Sequence, residues 1–154
     1  MANYKPRGQY FEEFEVGQKF VSSARTITEG DIVSFAGLSG DYNQIHTDVE
    51  FCKKTSYGQR IAHGLLVTSI ASGLLAQSGL LDGTVIAFRE INNWKFRQPT
   101  FIGDTVHVIT EVIKLKRLKH LGGGAVVILV DVRNQKNETV MKGKWTALMM
   151  SKPE

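Results

Sequence analysis

Apolar residues along this chain follow three regimes. They are scattered up to about residue 60. From Ile61 to Leu81 they run without a charged residue unless His63 is protonated, and beyond Thr84 they alternate with polar positions. In the first regime Phe20, Ser22 and Ala24 alternate with Val21, Ser23 and Arg25, so a strand is expected over Lys19 to Thr26. Thr28 with Asp31 three residues on has the form of a capping box, Asp standing in for the usual Glu. Ile32, Phe35 and Ala36 follow at helical spacing, which predicts a short helix ending near Leu38, with Gly37 and Gly40 loosening its end. Thr47-Asp48-Val49-Glu50 repeats the capping pattern and predicts a second short helix over about Asp48 to Lys54. Asp41 to His46 is then a loop between two helices.

The uncharged run is long enough to raise the question of a membrane span, which needs about 20 mostly apolar residues. It carries Thr68, Ser69, Ser72, Gln77 and Ser78 besides Gly64, Gly73 and Gly79, and that polar content argues against lipid and for a buried core helix with Gly79 as its stop. Four strands are expected after it. Thr84 to Gln98 places Ile86, Phe88, Trp94 and Phe96 on one parity and Val85, Ala87 and Ile91 on the other, and Pro99 ends it or marks a bend. Thr105 to Lys116 is rich in β-branched residues, and Ala125 to Val132 is a nearly continuous apolar run. Thr139 to Met150 sets Met141, Gly143, Trp145, Ala147 and Met149 against Lys142, Lys144 and Thr146. Gly122-Gly123-Gly124 and Asn134 to Asn137 are read as turns. One buried helix followed by long antiparallel strands gives an α+β architecture in which a curved sheet wraps the helix.

Length and composition narrow this further. At 154 residues and 42% hydrophobic content the chain is read as one domain over 1–154, with residues 1–10 as a loosely held N-terminal arm. The formal charge of +4 is spread along the chain apart from Lys114 to His120, which favours an anionic ligand and not a nucleic acid. A lone cysteine, Cys52, excludes an intrachain disulfide, fits a reducing compartment and is expected to be a small buried hydrophobe. Met1 to Gly8 has no apolar core after its charges, so no secretory signal is read and a cytoplasmic location is expected.

The chemistry is concentrated in Leu38-Ser39-Gly40-Asp41-Tyr42-Asn43-Gln44-Ile45-His46. A carboxylate and an imidazole five residues apart in a loop can converge on one water or one substrate proton, as a general acid/base pair does. Phe35 to His46 resembles the hydratase-2 signature of the MaoC-like (R)-specific enoyl-CoA hydratases and dehydratases. Arg60-Ile61-Ala62-His63-Gly64-Leu65-Leu66 resembles that family's second hallmark, at the start of its central helix. The similarity runs in order from about Phe11 to Met149. It departs at Gln44, where the family usually has Pro, and at Cys52, where it usually has Ala or Ser.

That resemblance implies the hot-dog fold, at least a homodimer through side-by-side sheets, and reversible hydration of a trans-2-enoyl-CoA to the (3R)-hydroxyacyl-CoA. It implies Asp41 as the base toward water, His46 as orienter and proton donor, and the Gly64 N–H at a helix N-terminus as the stabiliser of the thioester oxyanion. Ser72 and His63 would help place the acyl thioester and Asn43 would shape the loop. No metal and no cofactor are expected beyond the coenzyme A of the substrate, although Asp41, His46 and His63 together form a conceivable zinc set. Lys95, Arg97, Lys116 and Arg117 are candidates for the coenzyme A phosphates. Two rivals remain open, a hot-dog thioesterase and a non-catalytic acyl-CoA binding module, because fold alone does not separate them.

Overall fold

The computed structural model describes residues 5–153. Its centre is α4, Gly64–Gln77, which buries Leu66, Val67, Thr68, Ile70, Ala71, Leu74 and Leu75. The five large aliphatics among them contribute on the order of 10 kcal/mol of burial, at about 1.5–3 kcal/mol each. They are covered by an antiparallel sheet of β1 (Lys19–Val21), β2 (Arg25–Thr26), β3 (Val85–Phe96), β4 (Thr105–Leu118), β5 (Gly123–Arg133) and β6 (Thr139–Met150). The strand order is β1-β4-β5-β6-β3, with β2 also paired to β4. This is the hot-dog arrangement, α+β, as expected. Among the described residues no helix is long and apolar enough to cross a membrane.

The predicted helix after Thr28 is α1, Glu29–Ser39, and both arms of its capping box are made with Asp31. Three local expectations change. The single strand expected over Lys19 to Thr26 is two pieces. Val21 faces Ile109 and Arg25 faces Val106, four steps against three, so one extra residue bulges out. The Ser22 hydroxyl oxygen accepts the Val108 N–H there at 2.9 Å. Second, the glycine triplet is not all turn. A one-turn 3-10 segment, Lys119–Leu121, precedes Gly122 at φ 59°, while Gly123 and Gly124 already belong to β5. A Cβ on Gly124 would meet the Phe11 ring at 2.3 Å, so the strand needs glycine for packing. Third, Ile91 lines the same groove as Phe88 and Trp145, because the register slips between Phe88 and Glu90 and flips the parity beyond.

The N-terminal arm is fastened over the part that is described, while residues 1–4 lie outside the described residues. The Gly8 and Gln9 amides donate to the Asp82 and Leu80 carbonyls at 2.9 Å each. Phe11 and Phe14 are buried against Val112, Val126 and Met149. Burying two aromatic rings outweighs the arm's polar composition.

On the sheet's outer side Asp131 is buried beneath charges of the opposite sign. Burial by itself pushes its carboxyl up. Hydrogen bonds from Arg133 at 3.0 Å and Thr139 at 2.8 Å, with the Lys142 ammonium at 3.4 Å, outweigh that and hold it below the usual carboxylate range. Because the folded value is depressed, its contribution is present above about pH 4 and is lost as the pH falls through the folded value. Thermal melts between pH 7 and pH 2 are expected to show wild-type stability falling in that acid range. Asp131→Asn is expected to be about 1–3 kcal/mol less stable at pH 7 and to lose less on acidification.

Candidate active site

The N-terminus of α4 lies against the segment that carries Asp41 and His46. Helix α1 ends at Gly40, whose φ of 76° turns the chain sharply. The segment beyond Gly40 is tighter than the expected loop. Asn43 caps a single helical turn, α2 (Gln44–Thr47), its side-chain oxygen accepting the Ile45 N–H at 3.2 Å, so His46 sits on helical backbone. Asp48, rather than Thr47, caps α3 (Val49–Cys52), and Thr47 instead donates to the Tyr42 and Asn43 carbonyls. The Cys52 thiol, buried as expected, lies 3.4 and 3.3 Å from the Gln44 and Ile45 carbonyl oxygens and fastens α3 to α2.

His46 is buried, and its Nδ1 is 2.8 Å from the Ile61 carbonyl oxygen. A carbonyl only accepts, so Nδ1 carries a proton, and in that tautomer Nε2 keeps its lone pair. That Nε2 lies 3.9 Å from Asp41 Oδ2. The separation is too long for a direct hydrogen bond and suits a water that donates one hydrogen to each acceptor. Asp41 Oδ1 accepts the Asn43 N–H at 3.2 Å, which turns the carboxylate toward the ring. The Asp41 side chain is 51% exposed and the His46 side chain 9%, so solvent reaches the pair from the carboxylate side.

His63 stands behind this pair. It is 2% exposed, stacks on His46 with ring centroids 3.8 Å apart, and its Nε2 donates to the Asp41 backbone carbonyl at 2.9 Å. It therefore ties the loop that carries Asp41 to the start of α4. The other ring nitrogen, Nδ1, is buried without a hydrogen-bond partner. Donor atoms of Asp41, His46 and His63 lie within 4.8 Å of one another, close enough to be tested as a cation set. The two imidazoles are inclined by only 29° and stacked, which sets their in-plane lone pairs side by side, whereas metal ligands aim at one point.

A groove of about 440 Å³ opens in front of His46 and Gly64, lined also by Tyr57, Leu65, Phe96 and Met141. Gly64 begins α4, where first-turn N–H groups have no intrahelical acceptor and the positive end of the dipole faces the groove. A Cβ on Gly64 would come within 2.6 Å of the Phe96 ring, so only glycine admits that ring beside the helix end. Asp41, His46, His63, Asn43 and Gly64 are thus gathered at one place. Ser72 is not: it sits two turns further along α4, on an apolar cavity with Phe88 and Trp145. Sequence reasoning missed Phe96 as a wall of the groove, and its place among the alternating aromatics of β3 was the available signal. Of the candidate cations, Arg97 borders the groove, while Arg117 is engaged by Glu12 at 2.6 Å.

Residues 12–134 match the family described as MaoC like domain. The chain belongs to the MaoC-like domain family. This MaoC-like chain is 38% identical over 115 residues to Protein MaoC of Klebsiella aerogenes, covering 75% of the chain and 33% of that protein. It is also 38% identical over 106 residues to the (R)-specific enoyl-CoA hydratase of Rhodospirillum rubrum, covering 69% of the chain and 71% of that enzyme. The chain thus spans a third of the length of the first of these relatives. The solved structure of a monoamine oxidase regulatory protein from Archaeoglobus fulgius superposes with a TM-score of 0.88 at 40% identity, covering 95% of this chain and 97% of that one.

Gln44 occupies the first helical position of α2, where an unbonded N–H costs nothing and a proline ring is well placed. Asn43 before it has φ −55° and ψ 139°, the conformation a following proline requires. Gln44→Pro is therefore expected to keep or raise stability, by up to about 1 kcal/mol, in calorimetric melts. A loss of more than that would show that the Gln44 N–H or side chain holds the turn.

Proposed function

We propose that this MaoC-like domain catalyses reversible hydration of a trans-2-enoyl thioester of coenzyme A to the (3R)-hydroxyacyl thioester. The observation that carries the reading is the 3.9 Å gap between Asp41 Oδ2 and His46 Nε2, both acceptors, beside the N-terminus of α4. A water held by the two turns its oxygen lone pair toward C3 of the substrate. As the C3–O bond forms, the double-bond electrons move toward the thioester, whose oxygen takes up the charge against the Gly64 N–H. Asp41 polarises the water as its base and keeps the hydrogen bond from the hydrogen that stays on oxygen as the C3 hydroxyl. His46 is an acceptor at rest, so it takes the water's other proton and delivers it to C2; one O–H bond breaks, one C2–H bond forms, and addition is syn. The reverse dehydration uses the same groups. The (R)-specific hydratase among the relatives supports this reading over thioester hydrolysis. Arg97, at the groove's rim, is the cation best placed to meet a coenzyme A phosphate.

The same reading includes a homodimer. β3 is a twelve-residue outer strand, and Ile86, Phe88, Ile91 and Phe96 on it are each more than a third exposed. A long apolar edge of this kind invites pairing with a second sheet. Light scattering is expected to give twice the chain mass, and Ile86→Asp with Ile91→Asp is expected to shift it toward the single chain.

The catalytic claim is tested by following the conjugated thioester absorbance of crotonyl-CoA and the stereochemistry of the product. Wild type is expected to yield the (3R) alcohol. Asp41→Asn and His46→Ala are each expected to lower kcat by about 10²-fold or more with the fold retained in circular dichroism. Release of free thiol in place of hydration would move the assignment to a thioesterase, and tight acyl-CoA binding without any turnover would move it to a binding module.

A further inference from the structure

The outer face of the sheet, turned away from α4 and the groove, carries a feature that the fold of the single chain does not use. On β5 the residues from Ala125 to Val130 are apolar without interruption. Val126, Ile128 and Val130 pack into the core, so Ala125, Val127 and Leu129 point outward. A strand apolar on both faces is ordinarily covered on both, whereas an antiparallel sheet with one wet face is polar on that face. Val127, Leu129 and Leu148, which is in register with Ala125, belong to neither core cluster and stay partly exposed.

The register sets lysines round this apolar strip. On β4, Lys114 is opposite Val127 and Lys116 opposite Ala125; on β6, Lys144 is opposite Leu129 and Lys142 opposite Asp131. Lys95 of β3 in turn faces Lys142, a like-charge pair that lowers stability. The acids of this face already have partners: Asp131 in Arg133 and Lys142, Glu111 in Lys19 at 3.5 Å, and Glu90 in the Thr146 hydroxyl at 3.3 Å. Among the described residues Lys95, Lys114, Lys116 and Lys144 are exposed and have no ion-pair partner.

Neighbouring strands are about 4.8 Å apart, so the β4 and β6 lysines stand on either side of β5, roughly 10 Å from one another, which is the width of one helix. The two lysine pairs are also displaced along β5 by about four positions, or about 14 Å, which corresponds to about nine residues of helix. The strip is recessed, with part-buried apolar residues between exposed lysines. That relief suits a rounded rod and not a bilayer, into which apolar groups must reach beyond the charges. A second copy of the same face would set lysine against lysine. We propose that the outer face is a docking surface for a partner protein that lays an acidic amphipathic helix along β5. Its apolar stripe covers Val127, Leu129 and Leu148. Its carboxylates meet Lys114 and Lys116 on one edge and, about nine residues further on, Lys142 and Lys144 on the other.

The probe is a peptide of leucine, alanine and glutamate built to that pattern, about 18 residues or some 27 Å of helix. It is titrated into the full chain by calorimetry beside a scrambled peptide of the same composition and a copy with lysine for glutamate. The patterned peptide is expected to bind with Kd on the order of 10–100 µM at low salt, more weakly as salt is raised, and at least about tenfold more tightly than either control. Backbone amide shifts in nuclear magnetic resonance spectra are expected to cluster on β4, β5 and β6 round Val127 and Leu129. Lys114→Glu with Lys144→Glu is expected to weaken binding about tenfold or more, and Leu129→Ser about five- to tenfold, with thermal melts near wild type. No binding, equal binding of a control peptide, an affinity unmoved in both variants, or shifts confined to the groove or to β3 overturns the proposal. Tighter binding to phosphatidylserine vesicles than to the peptide would assign the face to a membrane. A larger assembly in light scattering that Leu129→Ser dissociates would assign it to a further copy of the chain. Either result also overturns the proposal.

Discussion

Helix α4 carries no charge, and five large aliphatic side chains on it need cover at once. Only a sheet broad enough to curve round the helix supplies that cover from a single chain, and Val106, Val108, Val130, Val132, Val140, Met141 and Trp145 provide it. The energetic weight lies in this contact, on the order of 10 kcal/mol before conformational entropy is subtracted. Everything functional hangs from its consequences. Burying the helix body leaves its N-terminus at the rim, where unpaired N–H groups and the dipole meet a groove open to solvent.

The polar site is built on that rim by short-range bonds. Asn43 caps one helical turn, Asp48 caps the next, and the Cys52 thiol ties the two together. The imidazole of His46 is locked by the Ile61 carbonyl and stacked on His63, which in turn grips the Asp41 backbone. The result is asymmetric: a buried, oriented histidine faces a half-exposed carboxylate. Such an arrangement keeps the carboxylate in reach of solvent and immerses no unpaired charge in the core, which would be costly.

Periodicity made most of the frame legible. A capping box fixes the start of α1 because its two hydrogen bonds lie within four residues, and the uncharged stretch before Leu81 admits a buried helix because a polar face is missing. Alternation marked the later strands, since each has one face on the core. The motif from Asp41 to His46 and the His63-Gly64 pair also stood out as chemistry. Other features depended on contacts between residues far apart in the chain. The bulges in β3 that turn Ile91 to the groove, the ring of Phe96 against Gly64, and the docking of Phe11 on Gly124 leave no local periodicity to read. His63 stacking on His46, 17 positions away, fixes the imidazole only once α4 is seated. Local hydrogen bonding and burial preference are written along the chain. Where two distant segments touch is decided by which packing fills the space, and that only the folded whole determines.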